Sequence, residues 1–510
     1  MYRSAKVAAS SLDAIAAQGV AGLRVLDPAH ASLRLIACFG GARVRTILVL
    51  LLATVALAAC SASTGTPAAR TPNVGSVSPP QSTASGGTNG ARFPAGVSAD
   101  GRYFIDQVGD PWFGLGDSPW SIIVQLAPAD VDLYLDDRMA RGFNLIMANL
   151  LEHHYSENAP NNYRDDPPFT GDPFRSAPNE AYWQQVDYVI EAARVRGITV
   201  LLCPAYLGRA TSEGWSSEVA EATNEEMAEF GRFLRDRYED FPNIMWLVGH
   251  DRVPNDTDRA RMEALASELP PGDLVGLGGV PADEESTGTG TWAWSPTTIS
   301  PDFETVYSYR DTPVSDTANA WAMQPTRPLM FLEGRYEQER EGGLGDPVVR
   351  RQEYGSFVGG AAAVMFGNNP IWHFNSVSLY EYEGTWQANL GSPGAGDAQR
   401  FGELALSLPW WEMQPDLGSD LLIDGELESN LAARSSDSHA VVYVPTSRTV
   451  VVDIARLSAV EQVELRRFDP RSGESEFVDS YPTDRLVAID SPGPNAAGEE
   501  DWVYVFLPTG

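Results

Sequence analysis

The sequence predicts a (β/α)8 barrel followed by a small β-sandwich, and three observations carry that prediction. Eight apolar runs of strand length recur between residues 112 and 367, helical patterns separate several of them, and after Pro409-Trp410-Trp411 the texture changes to short β-branched runs divided by turns. The eight runs are WFGLG (112–116), FNLIMANLL (143–151), TVLLCPAY (199–206), NIMWLVG (243–249), LVGLGG (274–279), ETVYSY (304–309), PLMFLEG (328–334) and AAAVMFG (361–367). Most are apolar without alternation, as parallel strands covered on both faces require.

Tyr182, Val186, Val189, Ile190 and Ala193 fall on one face of a helix opened by Asn179 and stopped by Gly197. Met227, Phe230 and Leu234 form a second such face after Asn224, and a third helix is expected over 256–269. The pattern before the third and fourth strands is therefore helix, short loop, strand. The 320 residues of 93–412 hold the barrel, which typically takes about 250 before insertions. No helix is visible in 279–301, which keeps a doubly wound sheet as the alternative. The runs AVVYV (440–444), TVVVDI (449–454), VELRRF (463–468), RLVAID (485–490) and WVYVFL (502–507) place the β-sandwich over 413–510.

The N-terminal part reads differently. From Arg43 to Cys60 the chain runs RVRTILVLLLATVALAAC: two arginines, an apolar stretch from Ile47 to Ala59 too short to span a bilayer, and Leu57-Ala58-Ala59-Cys60 at its end. This is the pattern of a secretory signal over 1–60, and it resembles a bacterial lipoprotein signal in which Cys60 is lipidated and becomes the first mature residue. An ordinary buried helix is the rival. The charged region starts only at Arg43, so this reading puts the start of translation near Val44. Cys38 is then discarded and Cys203 is the only free thiol, which leaves no pair for an intrachain disulfide. Residues 61–92 are nearly all Ser, Thr, Gly, Pro and Ala, with no aromatic, and read as a flexible tether. The expected location is the outer face of a bacterial cell membrane, held by the lipid alone.

Composition narrows the partners. With 36 Lys+Arg against 69 Asp+Glu the net charge is −33, which repels phosphate backbones and excludes nucleic acid as a partner. The 13 Trp, 18 Tyr and 19 Phe suit core packing and equally suit stacking on the apolar faces of sugars.

In a barrel, reactive side chains project from the C-terminal strand ends. Those positions hold Asp117, Asn149 with Glu152-His153-His154, Tyr206, His250 and Asp251, Tyr309, Glu333, and Asn368 with Trp372 and His373. Asp251 and Glu333 stand out, because each ends a strongly apolar strand and strands four and seven face each other across the mouth. Glycosidic cleavage needs such a pair: one acid to protonate the leaving oxygen, one carboxylate to attack or to activate water. The plain alternative is that Asp251 caps a loop and Glu333 pairs with Arg335.

LGDSPW (115–120), GFNLIMANLL (142–151), WQQVDYVIEAARVRGITVLL (183–202), NIMWLVGHDR (243–252), PLMFLEGRYE (328–337) and GGAAAVMFGNNPIW (359–372) resemble the apiosidase-like glycoside hydrolase family, whose members are (β/α)8 barrels often followed by a collagen-binding-type β-domain. The resemblance implies that Asp251 is the general acid/base and Glu333 the nucleophile, with Tyr336 and Glu337 beside it. Asp117, Trp120, Asn149, His153, Tyr206, Trp246 and Trp372 complete the expected substrate-binding set. Three motifs depart from the family pattern: Gly-Glu-Pro becomes Leu332-Glu333-Gly334, Gly-Asp-Thr-x-Trp becomes Gly116-Asp117-Ser118-Pro119-Trp120, and the Tyr-His-Pro after strand five becomes Gly278-Gly279-Val280-Pro281. The last puts the substrate in question, since that loop normally touches sugar.

Glu152-His153-His154 invites a metal, but there is no H-E-x-x-H and adjacent residues on a strand end point to opposite sides, so no metal or other cofactor is expected. There is no G-x-S-x-G elbow for a serine hydrolase. A surface-tethered, non-catalytic glycan-binding protein is the rival of a different class. It would keep Trp120, Trp246 and Trp372 as platforms without needing both carboxylates.

Overall fold

The computed structural model describes residues 90–423 and 432–509. The expected signal, Cys60 and all but the end of the 61–92 tether lie outside the described residues. Arg92, expected in the tether, is tied to Asp106 (2.5 Å) and Asp110 (2.8 Å). No described helix is long and apolar enough to cross a membrane.

All eight expected barrel strands form: β1 (Gly114–Asp117), β2 (Leu145–Asn149), β3 (Thr199–Cys203), β4 (Ile244–Val248), β5 (Leu274–Leu277), β6 (Glu304–Tyr307), β7 (Leu329–Glu333) and β8 (Ala363–Phe366). Parallel ladders join them in the order β5-β4-β3-β2-β1-β8-β7-β6. The remaining seam, between β5 and β6, is bridged by the Asp302 backbone N–H on Val275 O (2.8 Å) and the Thr305 hydroxyl on Leu277 O (2.6 Å). A three-stranded antiparallel sheet (Pro94–Val97, Phe104–Asp106, Pro111–Trp112) precedes β1.

The crossover helices are α1 (Pro128–Ala140), α2 (Glu180–Val195), α3 (Asn224–Tyr238), α4 (Asp256–Ala266), α5 (Val314–Trp321), α6 (Pro347–Val358) and α7 (Pro393–Leu406). Asn179 caps α2 as expected, accepting from Ala181 N. The cap of α3 lies one residue earlier than its apolar face suggested: Thr223 and Glu226 form a reciprocal capping box. Residues 279–301, read as having no helix, contain the short one Gly290–Trp294. It is too short to show a helical period, and its buried Trp294 is what seats it against β5.

Alternation along each strand divides the apolar residues between two clusters. On β4, Met245 and Leu247 join the cluster that includes Met147, Leu201 and Phe331, whereas Ile244, Trp246 and Val248 pack outward with α2 and α3 residues such as Val189 and Leu234.

The C-terminal part forms two antiparallel sheets. Strands β9 (Gln414–Pro415), β10 (Ala432–Ser435), β11 (Ala440–Val444), β13 (Gln462–Phe468), β14 (Ser475–Pro482) and β16 (Trp502–Pro508) make one, in the order β9-β10-β11-β16-β13-β14. Strands β12 (Val450–Asp453) and β15 (Leu486–Ile489) make the other. The unforeseen β14 is an edge strand whose residues are mostly exposed, so SEFVDSYP carries no apolar alternation. Barrel and β-domain share a core. Tyr354 stacks on Tyr443 (5.1 Å), Arg350 of α6 pairs with Asp501 (2.8 Å), and the buried Arg434 of β10 donates to the carbonyls of Phe357 (3.1 Å), in the last turn of α6, and Ala361 (3.0 Å), just past its end.

Candidate active site

The ends of β3, β4, β6 and β7 converge on one cleft at the barrel mouth, with a cavity volume of about 130 Å3, and both expected carboxylates line it. Glu333 is the last residue of β7, 8% exposed, and its Oε2 makes a short hydrogen bond with His250 Nε2. Asp251 lies just past β4 in the left-handed backbone region (φ 60°), where its Oδ2 accepts the Tyr206 hydroxyl at 2.7 Å. One carboxylate oxygen of Asp251, one of Glu333 and a ring nitrogen of His250 all lie within 4.8 Å of one another.

His250 is the centre of this arrangement. Its ring is stacked between Trp120 (5.4 Å between centroids, 24° between planes) and Tyr307 (5.2 Å, 25°). Burial pulls the imidazole down, but the charge of Glu333 and the hydrogen bond to it outweigh that and leave a net rise above the ordinary histidine range. Burial likewise pushes the Glu333 carboxyl up to about 6, with His250 holding it down and Asp251 adding to the rise. Each partner thus favours the charged form of the other. The same three residues are the one group among the described residues spaced to share a metal ion, and His250 Nε2 is there already engaged by Glu333.

Aromatic side chains form the walls. The Trp120 indole donates to the Tyr336 hydroxyl (2.8 Å), the Tyr307 hydroxyl donates to that of Tyr309 (3.1 Å), and Tyr155 packs edge-on to Trp372 (5.0 Å). Asn149, at the end of β2, completes the floor. On the Asp251 side a second cavity of about 510 Å3 adjoins the cleft, lined by Arg209, Asp251, Arg252, Val253, Val280, Pro281 and Asp283.

The family model for the apiosidase-like catalytic domain matches residues 98–412, more than half the chain. The chain belongs to that family. As an apiosidase-like enzyme it is a glycosidase, and its substrate is a carbohydrate. A second model, for the collagen-binding-like domain of a collagenase, matches 421–507. Among solved structures, a glycoside hydrolase superposes with a TM-score of 0.69 at 22% identity, covering 82% of this chain and 97% of that one. A family 5 glycoside hydrolase from Bacteroides vulgatus gives the same score and identity over 82% and 93%. These likenesses are of fold. Comparison with curated protein sequences finds no match.

Of the residues expected to bind substrate, the apiosidase-like cleft brings together Trp120, Asn149, Tyr206, Tyr336 and Trp372. Four others lie elsewhere. Asp117 is sealed beneath the mouth, its Oδ2 held by Arg138 Nε (2.5 Å) and the Tyr134 hydroxyl (2.7 Å) and its Oδ1 by Ser118 N (2.8 Å). Trp246 has the outward parity of β4 and donates to Asp273 (2.9 Å). His153 packs edge-on against Trp215 (4.9 Å) with its Nε2 3.5 Å from Glu218. Glu337 is buried among four donors: the backbone N–H groups of Gly345 and Gly394, Asn368 Nδ2 and the Ser392 hydroxyl.

Glu152 explains the Glu-His-His motif: its Oε1 accepts the backbone N–H groups of His153 (3.1 Å), His154 (3.2 Å) and Tyr155 (3.0 Å), so it shapes a loop. Sequence reasoning had His250 and Tyr309 at strand ends but in neither the catalytic nor the substrate-binding set, and it missed Tyr155, Tyr307 and Arg340. Tyr307 was within reach, as it closes β6 at the level where Glu333 closes β7.

Proposed function

We propose that the enzyme is a retaining glycosidase acting outside the cytoplasmic membrane on oligo- or polysaccharides, with Glu333 as nucleophile and Asp251 as acid/base. The observation that carries this reading is the approach of the Asp251 and Glu333 carboxylates to within 4.8 Å. Retaining glycosidases hold their carboxyls about 5–5.5 Å apart, whereas inverting ones leave about 6.5–9.5 Å for a water.

The division of labour follows from the surroundings. Glu333 is the more buried of the two and is hydrogen-bonded by His250, which orients the other carboxylate oxygen for attack on the anomeric carbon. Asp251 borders the second cavity, where a leaving group fits, and the Tyr206 hydroxyl fixes one of its oxygens. In the first step Glu333 forms the glycosyl ester as the proton of Asp251 passes to the departing oxygen. In the second, Asp251 takes a proton from the attacking water and the ester bond to Glu333 breaks.

Proton NMR of the first-formed product tests the stereochemistry, and retention of the anomeric configuration is expected. A 2-fluoro glycoside of a cleaved substrate should add one sugar mass to the peptide holding Glu333. An inverted product would overturn the assignment, and failure to cleave any of a broad panel of glycosides would favour the glycan-binding reading. The same proposal includes the lipid anchor at Cys60: Cys60→Ala should abolish palmitate labelling and release the protein from membranes, and unchanged fractionation with normal processing would remove the anchor from it.

A further inference from the structure

The strangest part of the site is the backbone that carries its acid. Gly249 (φ 61°) and Asp251 (φ 60°) both occupy the left-handed region, which glycine enters freely and aspartate only at some cost. Something must hold Asp251 there, and the tyrosine hydroxyl on its side chain cannot set its backbone.

The backbone partner is the loop just past β5. The Asp251 N–H donates to Gly279 O (3.0 Å), the Gly278 N–H donates to Val248 O (3.0 Å), and Gly278 O accepts the Trp294 indole (2.8 Å). Gly278 is therefore fixed on both sides, by β4 and by the short helix Gly290–Trp294. It also lies directly against the acid's segment. A Cβ at 278 would stand 2.0 Å from Gly249 O and 2.8 Å from both Gly249 C and His250 Cα, all backbone atoms. At 279 it would meet Gly288 O at 3.3 Å and Gly290 N at 3.4 Å, a contact that a shift of a few tenths of an ångström relieves.

We propose that Gly278–Gly279 is the positioning element of the acid/base: the glycine pair lets the β5 loop pack backbone to backbone on Gly249–Asp251 and so locks Asp251 in the left-handed conformation that presents it to the cleft. These are positioning residues, acting through Asp251. The proposal rests on the glycosidase reading for its kinetic signature, and its structural signature is independent of that reading. It also accounts for the departure at Gly278-Gly279-Val280-Pro281: the glycines brace the acid, and Val280 and Pro281 line the adjoining cavity.

The test uses the full chain carrying Gly278→Ala, with Gly279→Ala as the milder variant in case the first folds poorly. Each is assayed on a pair of glycosides sharing one sugar, one with an alkyl leaving group and one with an activated nitrophenyl group, and each is crystallised. Loss of general-acid catalysis costs roughly 10²–10⁴-fold where the leaving group needs a proton. Gly278→Ala is accordingly expected to slow the alkyl glycoside at least about a hundredfold and the nitrophenyl glycoside far less, with the Tyr206–Asp251 hydrogen bond lost in the crystal. Gly279→Ala should show the same signature more weakly. Equal slowing of both substrates by folded variants, or an unmoved Asp251 in the Gly278→Ala crystal, overturns the proposal. If the wild type cleaves neither glycoside, the glycosidase reading falls by itself, and the position of Asp251 in the variant crystal still decides whether the glycines hold it.

Discussion

Glu333 and Glu337 stand four residues apart and are both buried, yet one faces the cleft and the other lies in the shell around it, and their partners differ in kind. Glu337 is surrounded by four neutral donors drawn from residues 345, 368, 392 and 394. Glu333 has one strong partner, a titratable histidine, and a carboxyl pushed up to about 6. The same contrast separates Asp117, clasped by Arg138, Tyr134 and Ser118, from Asp251, held by one tyrosine hydroxyl. A buried carboxylate whose hydrogen-bonding capacity is filled is stable and inert. One left partly unfilled costs stability and keeps an oxygen for chemistry.

The largest test of this contrast is Glu333→Gln against Glu337→Gln. The first removes the proposed nucleophile while keeping shape and should lower turnover by at least about 10⁴-fold with little change in melting temperature. The second places an amide nitrogen against donors and should lower melting temperature while the folded fraction keeps its kcat. Calorimetry with a nitrophenyl glycoside assay separates the two, and similar profiles for both variants would erase the distinction. Next in size is Asp251→Asn, which should slow poor leaving groups by about 10²–10⁴-fold and activated ones much less.

The sequence contains half of this contrast. Eight strand-length apolar runs located every barrel strand, and strand ends singled out Asp251 and Glu333, because apolar runs closed by an acid are visible locally. Which face a residue takes was hidden, since on β4 Ile244, Met245, Trp246, Leu247 and Val248 are all apolar and fully covered strands lack the alternation that would have turned Trp246 outward. Equally hidden were the donors that fill an acid. Asp117 depends on Arg138, and Glu337 on Ser392, contacts across 21 and 55 residues that no local pattern encodes. Both acids read as site residues in the sequence, whereas their side chains are buried outside the lining of the cleft.

Asp117→Asn probes the filled class directly. The Asp117 and Arg138 side chains are both 0% exposed, so the variant leaves the Arg138 guanidinium with Asp137 as its nearest remaining charge. Breaking a buried pair from one side costs about 3–5 kcal/mol, and retention of Asp137 puts the expected loss toward the lower end. Chemical denaturation measures it. KM and kcat of the folded enzyme should stay close to wild type, and a selective fall in kcat would return Asp117 to the cleft.

The smallest expected effect is the most specific to the unfilled class. Below about pH 6 Glu333 is protonated and cannot attack, so the rate should fall as pH drops through that value. His250 opposes the protonation through its charge and its hydrogen bond, both of which favour the Glu333 carboxylate. His250→Phe keeps an aromatic ring between Trp120 and Tyr307 but removes both influences. With burial and the Asp251 charge then unopposed, the Glu333 carboxyl titrates higher, and the acid limb of kcat/KM must move to higher pH, while rates well above the limb fall only by what the lost orienting hydrogen bond contributed. A profile measured on an activated nitrophenyl glycoside isolates this limb, because that substrate needs no proton from Asp251. An acid limb that stays in place, or moves to lower pH, would mean that His250 does not hold the nucleophile ionised and that Glu333 is governed by burial alone.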